Sequence, residues 1–144
     1  MNKTTVFGCV AAIAMFASAA YAANWVRVVN NYHLSDQPKC AMNIDIDTST
    51  WTYDGDVVQA WDRTTYGPSH STCPNIKFQE AKVLSIYDCR TKKLHLTYGH
   101  STDWNGQVKG TKIDDDNDWI VVVPDTTGDA ILNFVCAHNP NFVK

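Results

Sequence analysis

The chain has 144 residues, with 12 basic against 15 acidic side chains, a net charge of −3 and five cysteines. That balance argues against general nucleic-acid binding, which needs a strongly positive face. The length suits one domain with a real core and is too short for two of ordinary size.

The first residues read as an export signal. Met1-Asn2-Lys3 is a short positive start, and Val6 to Ala20 is apolar apart from Ser18. Ala20-Tyr21-Ala22 then places small residues at the two positions a signal peptidase reads. Residues 1–22 are expected to be cleaved, leaving a single domain over 23–144. A membrane-spanning helix is the rival, but the apolar stretch is short for a ~30 Å hydrocarbon core. Lipidation at Cys9 is the other, and cutting there would leave almost no apolar core to engage the export machinery. Loss of Lys3 leaves 11 basic and 15 acidic residues, a net charge of −4. The expectation is a periplasmic, secreted or cell-surface chain, not lipid-anchored, with no transmembrane segment after signal removal.

Four cysteines then remain: Cys40, Cys73, Cys89 and Cys136. An even number in an exported chain points to two disulfides, with three pairings open and free buried thiols as the rival. Cys40–Cys73 and Cys89–Cys136 are the favoured pairs.

Along the mature chain, Asn24 to Val29 alternates loosely and predicts a first strand. Asn30 to Lys39 is polar, contains Pro38, and reads as a loop. Met42, Ile44 and Ile46 alternate with Asn43, Asp45 and Asp47, the pattern of a strand with one buried face and a wet acidic face. Asp54-Gly55 signals a hairpin, and Asp56 to Trp61 returns as the next strand. Thr64 to Ile76 is a long polar loop whose end a disulfide at Cys73 would anchor. Phe78 to Cys89 is expected to be the longest strand. Leu84 and Ile86 lie on one face, and Val83, Tyr87 and Cys89 on the other, which suits a central strand covered on both sides or one holding a bulge. Arg90 to Lys93 makes a basic turn, and Leu94, Leu96 and Tyr98 alternate on the way back.

Gly99 to Gly106 reads as a loop, Gln107 to Ile113 as a weaker strand, and Asp114 to Asp118 as an acidic turn. Asp118 to Val123 is an apolar, β-branched run, a buried strand that should stop at Pro124. Thr126 or Thr127 can cap a following helix, with Asp129 as a capping acid. Ile131, Leu132, Val135 and Cys136 share one side of that helix, so Cys136 faces inward toward Cys89. The fold class predicted is α+β, mainly β: an antiparallel six- or seven-stranded sheet with one C-terminal helix packed on it and disulfide-tethered.

These residues resemble the surface-adhesin protein E family of small exported Gram-negative proteins. The landmarks are Trp25, the run Ile44 to Thr50, Gly55 to Trp61, Tyr66, Asp88-Cys89, Tyr98, Gly106, Trp119, Pro124 and the closing stretch Asp129 to Cys136. They span nearly the whole mature chain. The resemblance implies an antiparallel sheet with a C-terminal helix held to its concave face by a disulfide. It also implies binding to a protein partner, of the host extracellular matrix or serum. The alternative is a periplasmic structural or envelope protein of the same fold without a host ligand.

Chemistry is sparse. The five histidines, at 33, 70, 95, 100 and 138, form no helical zinc pair, and no Cys-x-x-Cys occurs, so neither metal nor cofactor is expected. His95, between Leu94 and Leu96, should point away from their face as a surface histidine. His100, Ser101 and Asp103 supply triad residue types without a nucleophile elbow, and no enzyme activity is expected. Asp114 to Asp118 could attract Ca²⁺ but lacks the EF-hand pattern, so a solvated hairpin tip is preferred. Arg90, Lys92 and Lys93 form a basic cluster able to meet an acidic protein segment or a sulfated glycan, although a charged hairpin that resists edge aggregation is the simpler account. Trp104 either tucks back onto the sheet or stands out as a contact anchor. With Tyr98 and His100 these complete the candidate partner-binding residues. A homodimer through an open sheet edge is compatible with the sequence.

Overall fold

A computed structural model describes residues 22–112 and 118–142. The expected signal segment up to Tyr21, the last residue of the expected 107–113 strand, and residues 114–117 of the acidic turn lie outside the described residues.

The strands run in chain order: β1 (Trp25–Leu34), β2 (Gln37–Asp54), β3 (Val57–Gly67), β4 (Phe78–Asp88), β5 (Lys93–Asp103), β6 (Val108–Lys112) and β7 (Ile120–Val121), followed by one helix, α1 (Thr127–Ala137). They form one seven-stranded sheet in the order β1-β2-β3-β4-β5-β6, with β7 also paired to β5. Every pairing is antiparallel. The β2–β3 turn places Gly55 at φ 57° as its first residue, the position a type II′ hairpin reserves for glycine.

Several strand limits differ from the sequence reading. Asn30 to Leu34 is strand rather than loop, because β2 pairs back along it through Tyr32 and His33. β3 continues to Gly67 for the same reason. The longest strand is β2, with 18 residues, rather than β4. Polar residues hide such extensions, since ladder hydrogen bonds need no apolar side chain. β4 is central and irregular, with register shifts at Phe78/Glu80 and Leu84/Ser85. The second shift places Thr97 as an extra residue in β5, where its hydroxyl donates to Leu84 O at 2.9 Å. The bulge moves Tyr98 off the Leu94–Leu96 face, against the simple alternation expected. The Asp118–Val123 run is not a buried strand either: only Ile120 and Val121 pair with β5, and both side chains are exposed, leaving Val122 to face the core.

The helix starts as its cap predicts. Thr126 Oγ1 accepts from Asp129 N at 3.3 Å, and Asp129 Oδ2 accepts from Asp125 N at 3.3 Å. Leu132, Val135 and Cys136 are buried against Ile46, Val58, Ala60, Tyr87 and Cys89, with Val28, Trp51, Ile131 and Phe134 packed at the margin. Cys89–Cys136 crosses from the end of β4 to the helix, and Cys40–Cys73 joins β2 to the β3–β4 connection. Asn139 Nδ2 adds a second fastening, donating to Gly55 O in the β2–β3 turn at 3.0 Å.

Beneath this cover lies a carboxyl. Asp62 Oδ2 accepts from Ser85 Oγ at 2.6 Å and Tyr87 Oη at 3.0 Å. Burial outweighs both hydrogen bonds and pushes its pKa up from 3.8 to about 6.

Two outcomes follow. The double substitution Cys89→Ser with Cys136→Ser is expected to lower unfolding free energy in urea by about 4 kcal/mol, the loop-entropy figure for a closure of this length. Because the folded-state pKa of Asp62 is raised, its contribution is fully present below pH 3.8 and is lost as pH rises toward about 6. Asp62→Asn should therefore remove a decline of about 3 kcal/mol across that window, read as the difference between wild-type and variant stability at about pH 3 and pH 7.

Candidate functional site: the open face of the sheet

Residues directly opposite one another in a ladder share a face. Ile46, Val58 and Tyr87 therefore define the face under α1, the one helix among the described residues. Among the described residues no helix lies over the opposite face.

Two rows of side chains cross that open face. The first runs Trp25–Asp47–Trp61–Leu84–Tyr98, from β1 to β5. The second runs Arg27–Asp45–Arg63–Lys82–His100 and ends at Gly110 of β6. Trp25-x-Arg27, Trp61-x-Arg63 and Tyr98-x-His100 thus repeat one pattern on alternate strands: an aromatic residue and, two positions on, a basic or imidazole one. That recurrence is the sequence signal that could have exposed the site. It was missed because no single strand carries more than one copy.

The two aspartates are not the wet side of the sheet. Asp45 is 2% and Asp47 3% exposed. Asp45 is held between two arginines: Arg27 Nε donates to its Oδ1, while Arg63 donates to Oδ2 through Nε at 3.1 Å and Nη2 at 2.9 Å. Burial works to raise its pKa, but the hydrogen bonds and charges of Arg27 and Arg63 outweigh it and hold the carboxyl below 3.8. Asp47 Oδ1 accepts from Asn24 N, Ser49 N and Ser49 Oγ, and Oδ2 from Thr50 Oγ1. Burial is again the largest influence and again is overcome, here by those donors, so this pKa too is lowered. A period-two alternation identifies the face of a residue; it cannot report partners arriving from other strands.

The cations lie above these acids. Arg63 Cζ sits 4.5 Å from the Trp25 ring centroid and Lys82 Nζ 6.0 Å from it, both within cation–π range. Lys82 Nζ also meets Glu80 Oε1 at 3.1 Å. Trp61 packs edge-on against Tyr98 at 6.1 Å and tilted against His100 at 6.0 Å. Tyr98 is 43% exposed and crosses β6 at Gly110, where an added Cβ would come within 2.9 Å of its hydroxyl.

The expected contact residues separate into three places. Tyr98 and His100 belong to the open face. Trp104 tucks back: its Nε1 donates to Ile76 O at 2.8 Å, and its ring lies 5.7 Å from His70. Arg90, Lys92 and Lys93 sit at the β4–β5 turn, engaged within the chain. Arg90 pairs with Asp56, Lys92 Nζ donates to Asn133 Oδ1 of the helix at 3.3 Å, and Lys93 stands opposite Asp88. His95 is not a surface histidine. It is 5% exposed, with Trp119 at 5.7 Å and Nδ1 3.2 Å from Asp118 O.

No group of three or more His, Cys, Asp or Glu arranged to hold a metal occurs among the described residues. Nor, among them, is any helix long and apolar enough to cross a membrane. Shallow depressions border the sheet, among them one of about 250 Å³ beside Thr65, Glu80 and Thr102. What the open face offers chemically is a broad contact surface.

The fold is thus a disulfide-stapled antiparallel sheet with one face helix-covered and one face open. The chain belongs to the surface-adhesin protein E family, which it matches over residues 25–137. No curated protein matches it.

Asp45→Asn is expected to lower stability at pH 7 by about 1–3 kcal/mol, since it removes one charge-assisted partner from two arginines at once. Chemical denaturation measures this, and the loss should shrink at pH values below 3.8, where the wild-type carboxyl becomes protonated.

Proposed function

We propose that the chain is an exported, non-enzymatic binding module that engages a protein partner, of the host extracellular matrix or serum. Membership of a surface-adhesin family is the observation that carries this reading. The two disulfides support it, because such bonds persist in oxidising compartments outside the cytosol. The open face supports it as well, being a fixed surface with rings and cations already positioned, so little ordering is left for a partner to impose.

Localisation and partner are tested together. Protease added to intact cells is expected to remove the protein, and immobilised protein should retain a component of matrix extract or serum. Protection in intact cells, with cleavage only after the outer membrane is opened, would instead support a periplasmic structural role for the same fold.

A further inference from the structure

The chain carries a net charge of −3, and the open face as a whole balances Arg27, Arg63 and Lys82 against Asp45, Asp47 and Glu80. Its second row, however, sets three cations against the single carboxylate of Asp45. Asp45 and Asp47 lie underneath, saturated by their donors, while Arg27, Arg63 and Lys82 keep partly exposed side chains. The guanidinium of Arg63 lies over the Trp25 ring and is bonded to Asp45 through two nitrogens, so its position is set before any ligand arrives. An anion is the complementary partner.

The companion row narrows the class of anion. Trp25, Trp61 and Tyr98 stand on alternate strands, with backbones about 9.6 Å apart by strand spacing, and the Trp61 and Tyr98 rings close to 6.1 Å. The cation row lies two residues along each strand, roughly 7 Å away. A ligand lying across the strands meets rings and cations side by side along its whole length. An acidic peptide matches the charges, but its apolar side chains would find Leu84 as the one aliphatic residue in the two rows. Indole and phenol rings instead suit the C–H faces of pyranose units.

From this arrangement we propose that the open face binds a linear acidic glycan. Its sulfate or carboxylate groups lie on Arg27, Arg63 and Lys82, and its sugar faces rest against Trp61 and Tyr98. The proposal rests on the reading of the chain as a binding module and goes beyond it, since the ligand it names is a glycan in addition to a protein partner. Two features of the face act on this contact. Glu80 competes with the ligand for Lys82, which it meets at 3.1 Å. Gly110 leaves room for the Tyr98 phenol to lie across β6, since a Cβ there would stand 2.9 Å from its hydroxyl.

The test uses the purified chain, so it does not depend on where the protein resides in the cell. A heparin-type sulfated oligosaccharide and an oligo-glutamate of matched charge are titrated separately, read by calorimetry and by tryptophan emission. The sulfated oligosaccharide should bind and perturb the emission, with oligo-glutamate far weaker. Lys82→Gln and Tyr98→Ala should each weaken binding by about tenfold, the size of one lost charged or stacking contact. Glu80→Gln should strengthen it several-fold, a gain no merely structural role predicts. Arg90→Gln and Lys92→Gln, at the far turn, should leave it unchanged. Matched thermal melts confirm that each variant is folded. Three results overturn the proposal: no binding of the sulfated oligosaccharide, equal or tighter binding of oligo-glutamate, or loss of affinity on Arg90→Gln or Lys92→Gln while Lys82→Gln is neutral. A glycan-negative result leaves the protein-partner reading standing, because the serum and matrix pull-down tests that separately.

Discussion

One helix cannot cover both faces of a sheet, and the covalent link between Cys89 and Cys136 decides which face it takes. At 11 residues α1 is about 16 Å long, shorter than the width of six strands at ~4.8 Å spacing. Apolar side chains therefore collect where the helix lies: Ile46, Val58, Tyr87, Leu132 and Val135. The other face must satisfy itself in contact with water. It does so through cross-strand pairs, in which each buried carboxylate is ringed by donors and each large ring is flanked by a cation or another ring. The contrast between the faces is one constraint seen from two sides.

The parts of the fold that were legible in the sequence are those set by local chemistry. Thr126 announced the helix start because a cap needs one side-chain oxygen at one position. Cys136 declared its direction through the company of Leu132 and Val135 on the same helical side. The order of the hairpins followed from turn residues such as Gly55. The candidate site was less legible, because it is assembled from β1, β2, β3, β4 and β5 together. Asp45 looked solvated because its arginines lie 18 residues away on each side, at positions 27 and 63. Tyr98 seemed to share the face of Leu96 because the extra residue in β5 is invisible to a period-two reading. His95 seemed exposed because Trp119, which covers it, arrives from the far end of the next connection. For Asp45 and His95 a partner distant in the chain changed the meaning of a residue whose strand position had been read correctly, whereas for Tyr98 a local bulge changed the face itself.

The ion pairs of the open face differ in how they are held. Surface ion pairs add little to stability one at a time, and Lys82–Glu80 is of that kind. Asp45 differs, since its carboxylate is nearly sealed and serves two guanidiniums at once. The broken outer edge of β5 is the less guarded region: β6 and β7 each cover only part of it, and Val108, Ile120 and Val121 stand exposed there.

Both disulfides join cysteines that are neighbours in chain order, 40 with 73 and 89 with 136. A polypeptide entering an oxidising space amino end first presents its thiols in that sequence. If Cys9 leaves with the expected signal segment, Cys73 finds Cys40 as its single unmatched predecessor and Cys136 finds Cys89. In that order of emergence the native connectivity is reached by pairing each thiol with the one before it, without reshuffling of mispaired bonds.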